Sequence, residues 1–198
     1  MLRVTGPVPL ELGEVLAALG RGEVVGLPTD TVYGVGADPF SRSAVERLFA
    51  VKRRPAVKPV PLLAASVEQA ERVGVLAGVA RAVVERHWPG ALTVVVRRAP
   101  GLPDWLGDPT RESVGLRVPD HPAALALLEA AGPLAVTSAN HSGLAPALDA
   151  AGARAIFGTE VAAYLPGAGG GGAPSTVVDF TALTPRVLRA GPVAWEEP

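Results

Sequence analysis

Apolar residues along this chain recur in two alternating rhythms, one matching a helix face and the other a buried extended segment. Leu10, Val15, Leu16 and Leu19 share one face of a helix expected over Pro9–Leu19, with Gly20 and Gly22 closing it. Glu23-Val24-Val25-Gly26-Leu27-Pro28 then predicts a short buried strand that stops at a proline. Ser43 and Glu46 have the spacing of a capping box and would open a helix that turns Val45, Leu48 and Phe49 inward and runs towards Lys52. A strand is expected over Pro59–Ala65, and Ser66 with Gln69 opens the next helix. Leu76–Trp88 reads as a helix halted by Pro89-Gly90, and Ala91–Val96, rich in β-branched residues, reads as a strand.

Ser113–Val118 is a further strand, after which Asp120 is expected to cap a helix running through Ala130. Leu134–Thr137 is a strand that enters the turn Ser138-Ala139-Asn140, and more strands fall at Val161–Leu165, Thr176–Asp179 and Arg186–Leu188. The run Gly167 to Gly172 reads as a mobile surface loop or lid. Helices and strands alternating in this way describe an α/β fold: a twisted mixed β-sheet flanked by helices, with binding residues on the loops where strands end. No repeat or long linker interrupts residues 1–198, which are read as a single domain.

Composition narrows the function classes. A chain of 198 residues, 48% hydrophobic, 19% charged and with a formal net charge of −1, can bury one sizeable core and is no polybasic nucleic-acid binder, although a local basic cleft remains compatible. Without cysteine there are no disulfides, thiolate metal sites or Cys nucleophiles. Met1–Pro7 has no apolar signal-peptide core, and Gly, Pro or charge breaks each apolar segment short of a membrane span. A cytoplasmic protein with no membrane contact is therefore expected. Among the 18 basic residues the two lysines, Lys52 and Lys58, both fall within seven positions that also hold Arg53 and Arg54. Such a cluster suits either a polyphosphate or a solvated helix end complementing the macrodipole.

Other candidates are scattered. Thr29–Gly36 follows a strand and mixes hydroxyls with glycines; Thr31 is its functional candidate, whereas Asp30, Val32 and Val35 read as structural. Ser138-Ala139-Asn140 can close an Asx-type turn or donate to phosphate, and both readings stand. Arg117 lies in the apolar strand Val114–Val118 and must meet a carboxylate, structural or ligand-borne. Ser175 and Arg189 flank the last strands and can join the same set. The glycine run lacks the Lys-Ser/Thr ending of a phosphate loop. His87, His121 and His141 have no metal-ligand spacing, and neither a nucleophile elbow nor an acid pair occurs. A site built from these residues would work by positioning anions.

Six blocks in order carry a family resemblance: Pro28–Gly34; Lys52-Arg53-Arg54-Pro55 with Lys58-Pro59; Trp88–Thr93; Gly115–Pro122; Thr137–Gly143; and Ser175–Asp179. Together they resemble the YrdC-like family of threonylcarbamoyl-AMP synthases, in the short form without the C-terminal domain of longer members. The resemblance implies an α/β fold with a concave basic cleft. It also implies a nucleotidyltransferase that condenses L-threonine, bicarbonate and ATP into threonylcarbamoyl-AMP and pyrophosphate for tRNA modification. By position, Lys52 and Arg54 would be the catalytic cations, holding the ATP phosphates with Lys58; Ser113, Asn140 and Arg189 would add nucleotide contacts. Thr31, Arg117, Ser138 and Ser175 would surround threonine. ATP would arrive with Mg2+ bound mainly by phosphate and water, no protein metal site being expected, and the product would pass to tRNA-modifying proteins. Two departures stand out: Leu144–Leu148 replaces a Pro/Ser/Thr-rich stretch, and Pro174 stands where an acidic residue commonly precedes the last block. Two alternatives stay open, an RNA-binding maturation factor contacting RNA directly through the same cleft, and a paralogue acting on another carbamoylation substrate.

Overall fold

A computed structural model describes residues 10–53 and 59–195. Its helices are α1 (Leu10–Gly20), α2 (Arg42–Val51), α3 (Val67–Ala70), α4 (Gly78–His87), α5 (Pro122–Ala131) and α6 (Ala150–Phe157), with a 3-10 turn at Gly158–Glu160. Strands are β1 (Val25–Leu27), β2 (Gly34–Ala37), β3 (Leu62–Leu63), β4 (Leu92–Arg97), β5 (Ser113–Arg117), β6 (Leu134–Ser138), β7 (Ala163–Tyr164), β8 (Thr176–Asp179) and β9 (Arg186–Arg189). They join in one mixed sheet, as the alternating pattern predicts, and the strand order is β7-β1-β2-β6-β3-β5-β4-β8-β9. Among the described residues no helix is long and apolar enough to cross a membrane.

Side-chain alternation along the strands explains both the core and the opening in the fold. Leu92, Val94 and Val96 of β4, Val114 and Leu116 of β5 and Val178 of β8 point to one face, where they join Leu48, Val84 and other buried residues in the main core. On the opposite face, α1 and α5 cover the sheet over β7, β1, β6 and β3: Leu12, Val15, Leu19, Leu127 and Leu128 pack there with Val25, Leu27, Leu63, Leu134 and Val136, and Ala163 of β7 lies against them. Among the described residues nothing equivalent covers that face over β4, β5 and β8, where Thr93, Val95, Ser113, Gly115, Arg117 and Val177 line a cavity instead. The site is thus a sheet face left bare, not only a set of loops at strand ends.

Several local expectations are corrected. The cap of α2 is Ser41, whose Oγ accepts from Ala44 N at 3.4 Å; Glu46 instead accepts from Arg42 Nε at 3.0 Å. Ser41 and Ser43 are equally good caps by chemistry, so the path of the entering chain chooses. For α5 the cap position is His121, without a side-chain cap bond, and Asp120 lies outside the helix. Ser66 does cap α3, accepting from Gln69 N at 3.2 Å. Two elements were not anticipated. In α6, Asp149 Oδ1 accepts from Gly152 N at 2.7 Å, an N-cap readable in the sequence. In β2, Gly34 and Gly36 look unsuited to a strand, but a Cβ at either would lie 2.9 Å from Val136, so close sheet packing demands them.

Candidate active site

The cavity on the bare face measures about 450 Å³. Thr31, Ser113, Arg117, Ser138, Ser175 and Arg189, distant in sequence, all line it. Pro174 lines it too, at a position where an acidic residue would have set a charge against any anionic ligand.

Arg117 projects from the end of β5 and is 5% exposed. Its Nε donates to Gly90 O at 2.9 Å, Nη1 to Thr31 Oγ1 at 2.9 Å and Nη2 to Asp30 Oδ1 at 2.5 Å. Burial draws the guanidinium pKa below its usual value, opposed by the Asp30 charge and hydrogen bond. Three of five N–H groups are engaged, so Nη1 and Nη2 each keep a hydrogen for a ligand acceptor. Thr31 is fixed in turn, its Oγ1 lying 2.9 Å from Thr29 Oγ1, which donates to Val32 O. Asp30, read from sequence as structural, therefore holds the central cation of the cavity. The signal was available: an arginine in a buried strand needs a carboxylate, and the strand-end loop supplies one.

A second group of cations sits across the floor. Arg189 Nε donates to Ser175 O at 2.9 Å and Nη2 to Ser175 Oγ at 3.1 Å, while Ser175 Oγ lies 2.8 Å from Thr93 Oγ1. Arg111, which also lines the cavity, donates through Nη2 to the buried Asp179 Oδ2 at 2.7 Å. Burial works to raise the Asp179 pKa, but the hydrogen bonds from Thr181 and Arg111 outweigh it and hold the carboxyl below its ordinary value. Ser113 pairs backbone-to-backbone with Asp108, N to O at 3.0 Å. Asp108 is the one carboxylate in the cavity lining among the described residues.

Lys52 occupies a different position from the cavity wall. Only 3% exposed, it sends Nζ to Ser138 O and Asn140 O, both at 2.5 Å, and to Asn140 Oδ1 at 2.7 Å. Ser138 Oγ also donates to Asn140 Oδ1 at 2.6 Å, and Asn140 Nδ2 donates to Leu144 O. The Ser138–Asn140 turn is thus clamped from beneath by a buried ammonium at the end of α2. Replacing Lys52 with methionine is expected to cost about 2–3 kcal/mol, since three bonds from a buried charged donor are lost, although Ser138 O keeps Asn140 N and Asn140 Oδ1 keeps Ser138 Oγ as donors. A urea melt checks this; an unchanged midpoint would remove the clamp from the account. Arg54 and Lys58 lie outside the described residues.

The glycine run does not form the free lid expected from sequence. Gly169 N donates to Leu148 O at 2.6 Å, Gly170 N to Thr29 O at 3.0 Å, and Gly171 N and Gly172 N to Thr31 O at 3.0 and 3.1 Å. A Cβ on Gly169 would meet Val32 C at 2.7 Å, and one on Gly170 would meet Asp30 O at 2.5 Å. Glycine is needed here because two backbones touch. The segment is a strap pressed against the loop that carries Asp30 and Thr31.

A mixed α/β sheet with an arginine-walled cavity on its open face defines the class of this molecule. The chain belongs to the Sua5/YciO/YrdC family, whose model, described as "Telomere recombination", matches residues 17–191. The threonylcarbamoyl-AMP synthase of Methylococcus capsulatus is 40% identical over 174 residues, covering 87% of this chain and 92% of that one. P. abyssi Sua5 complexed with L-threonine superposes with a TM-score of 0.83 at 34% identity, covering 93% of this chain and 56% of that chain. This chain therefore spans somewhat over half the length of Sua5. E. coli YciO superposes with a TM-score of 0.86 at 26% identity, covering 94% of this chain and 91% of the other.

Proposed function

We propose that this chain is a threonylcarbamoyl-AMP synthase, an enzyme of the cytoplasm that condenses L-threonine, bicarbonate and ATP and hands its product to tRNA-modifying proteins. The observation that carries the reading is Arg117, buried and oriented by Asp30, Thr31 and Gly90, with N–H groups left over in a cavity that Arg111 and Arg189 also line. A guanidinium so placed suits the carboxylate of an amino acid, and relatives carry the matching name or threonine itself.

In this reading threonine lies with its carboxylate on Arg117 and its polar groups near Thr31, Ser138 and Ser175. Its amine attacks bicarbonate and water leaves, giving a carbamate. A carbamate oxygen then attacks the α-phosphorus of ATP and pyrophosphate departs. Because the carbamate is already anionic, the protein has no need of a strong side-chain base; its work is to hold two anions in line and neutralise the leaving group. Ser113, Asn140 and Arg189 serve the nucleotide, Arg54 and Lys58 the phosphates, and Lys52 both contributes charge and fixes the turn bearing Asn140. ATP would enter as its magnesium complex, for which phosphate and water would supply most ligands. Residues 1–198 act as one domain.

The test is pyrophosphate release from ATP with threonine and bicarbonate omitted in turn, with mass spectrometry of the adenylate. Release that requires both substrates supports the reading. Release independent of threonine would reject it. RNA affinity with a steep salt slope and no turnover would favour the maturation-factor alternative.

A further inference from the structure

Gly115 is a strand glycine that backbone conformation does not explain and that packing explains only in part. The strand glycines Gly26, Gly34 and Gly36 would each place a Cβ within 2.9 Å of a neighbour, so their neighbours exclude any side chain. At Gly115 the nearest atom to a Cβ is Pro61 Cβ at 3.3 Å, followed by Pro61 Cα at 3.5 Å and Thr93 Cγ2 at 3.6 Å, and its φ is not positive. A methyl group there asks the Pro61 ring to give by a few tenths of an ångström, far less than the strand glycines above would demand of their neighbours. Glycine in a strand interior weakens the strand and marks a point where another group must come close, and here the partner strand is already paired, Gly115 opposite Val95. The side that stays open is the cavity.

Position along β5 says what approaches. Ser113, Gly115 and Arg117 share the cavity face at alternate positions, which spreads Ser113 and Arg117 about 13 Å apart at roughly 3.3 Å per residue. Gly115 lies midway between the proposed nucleotide contact and the proposed carboxylate anchor. We infer that Gly115 is the floor of the point where the two substrates meet, its missing side chain leaving room for the carbamate to reach the α-phosphorus. The inference rests on the synthase reading and adds a specificity-determining position to it.

Gly115→Val and Gly115→Ala test it. Valine is well suited to a strand, so the fold is expected to survive, checked by the thermal melt. Threonine alone and a non-hydrolysable ATP analogue alone should bind Gly115→Val within about twofold of the parent. With both present, each should bind at least about tenfold more weakly than in the parent. Turnover should fall by about 100-fold, the scale of an ångström's misplacement of reacting groups, and Gly115→Ala should lie between. Turnover and joint binding within about threefold of the parent would overturn the inference. So would loss of either ligand on its own from a folded Gly115→Ala, because the residue would then wall a single subsite. A parent chain without threonine- and bicarbonate-dependent pyrophosphate release would sink the synthase reading itself, and this inference with it.

Discussion

Asp30→Ala is expected to destabilise the protein by about 3 kcal/mol and to raise the threonine KM about 10–100-fold. The cause is an uncompensated charge. Arg117 is buried, and Asp30 is its carboxylate partner at 2.5 Å. Remove the carboxylate and a guanidinium remains in a poorly solvated pocket with only Gly90 O and Thr31 Oγ1 to accept from it. The side chain of Asp30 keeps 15% of its exposure, so water enters and the loss falls at the lower end for a broken buried pair. Threonine binding suffers because a guanidinium freed from Asp30 can swing away from the ligand carboxylate.

Two companion variants separate charge from shape. Asp30→Asn keeps an oxygen acceptor and should show an intermediate loss. The double variant Asp30→Ala with Arg117→Met should recover part of the lost stability, since no charge is left buried, yet should not recover threonine binding. Urea unfolding and threonine titration read the two effects separately. A threonine affinity that survives Arg117→Met would remove Arg117 as the carboxylate anchor.

The second large effect belongs to the strap. Gly170→Val should lower stability by about 1–3 kcal/mol, the range for forcing a side chain into a closed contact. Its Cβ would lie 2.5 Å from Asp30 O and 2.9 Å from Asp30 C, so the backbone has to part. The loop displaced is the one that orients Arg117, and the threonine KM should rise with the loss of stability. Gly171 supplies the control: a Cβ there meets nothing within 4 Å and its backbone is not left-handed. Gly171→Ala should therefore stay within about 0.5 kcal/mol of the parent and bind threonine normally. Equal behaviour of the two variants would mean that the strap does not brace the loop.

The contrast between these neighbours shows where reading the chain stops. Gly167–Gly172 looks uniform in sequence and invites the idea of mobility, because glycine is the residue of unconstrained backbone. Yet Gly170 is held against Asp30 and Gly171 faces open space. That difference depends on a segment about 140 residues away in the chain, and no local rule encodes it. Lys52 makes the same point: its rarity marked it as important, but a lysine amid cations reads as a solvent-facing phosphate grip, whereas it is buried under Ser138 and Asn140.

By itself, the order of apolar periods determined the alternation of helices and strands and hence the mixed sheet, because burial periodicity is a property of each segment. It also marked Arg117 as a cation in need of a partner, and it set Thr31, Ser113, Ser138, Ser175 and Arg189 at strand ends. Only the tertiary structure decided that Asp30 is that partner, that α1 and α5 stop short of β4, β5 and β8, and that the exposed face becomes the cavity. The reason is physical: pairing of charges and coverage of a sheet face are contacts between segments far apart in the chain, fixed by shape and burial once the elements have packed.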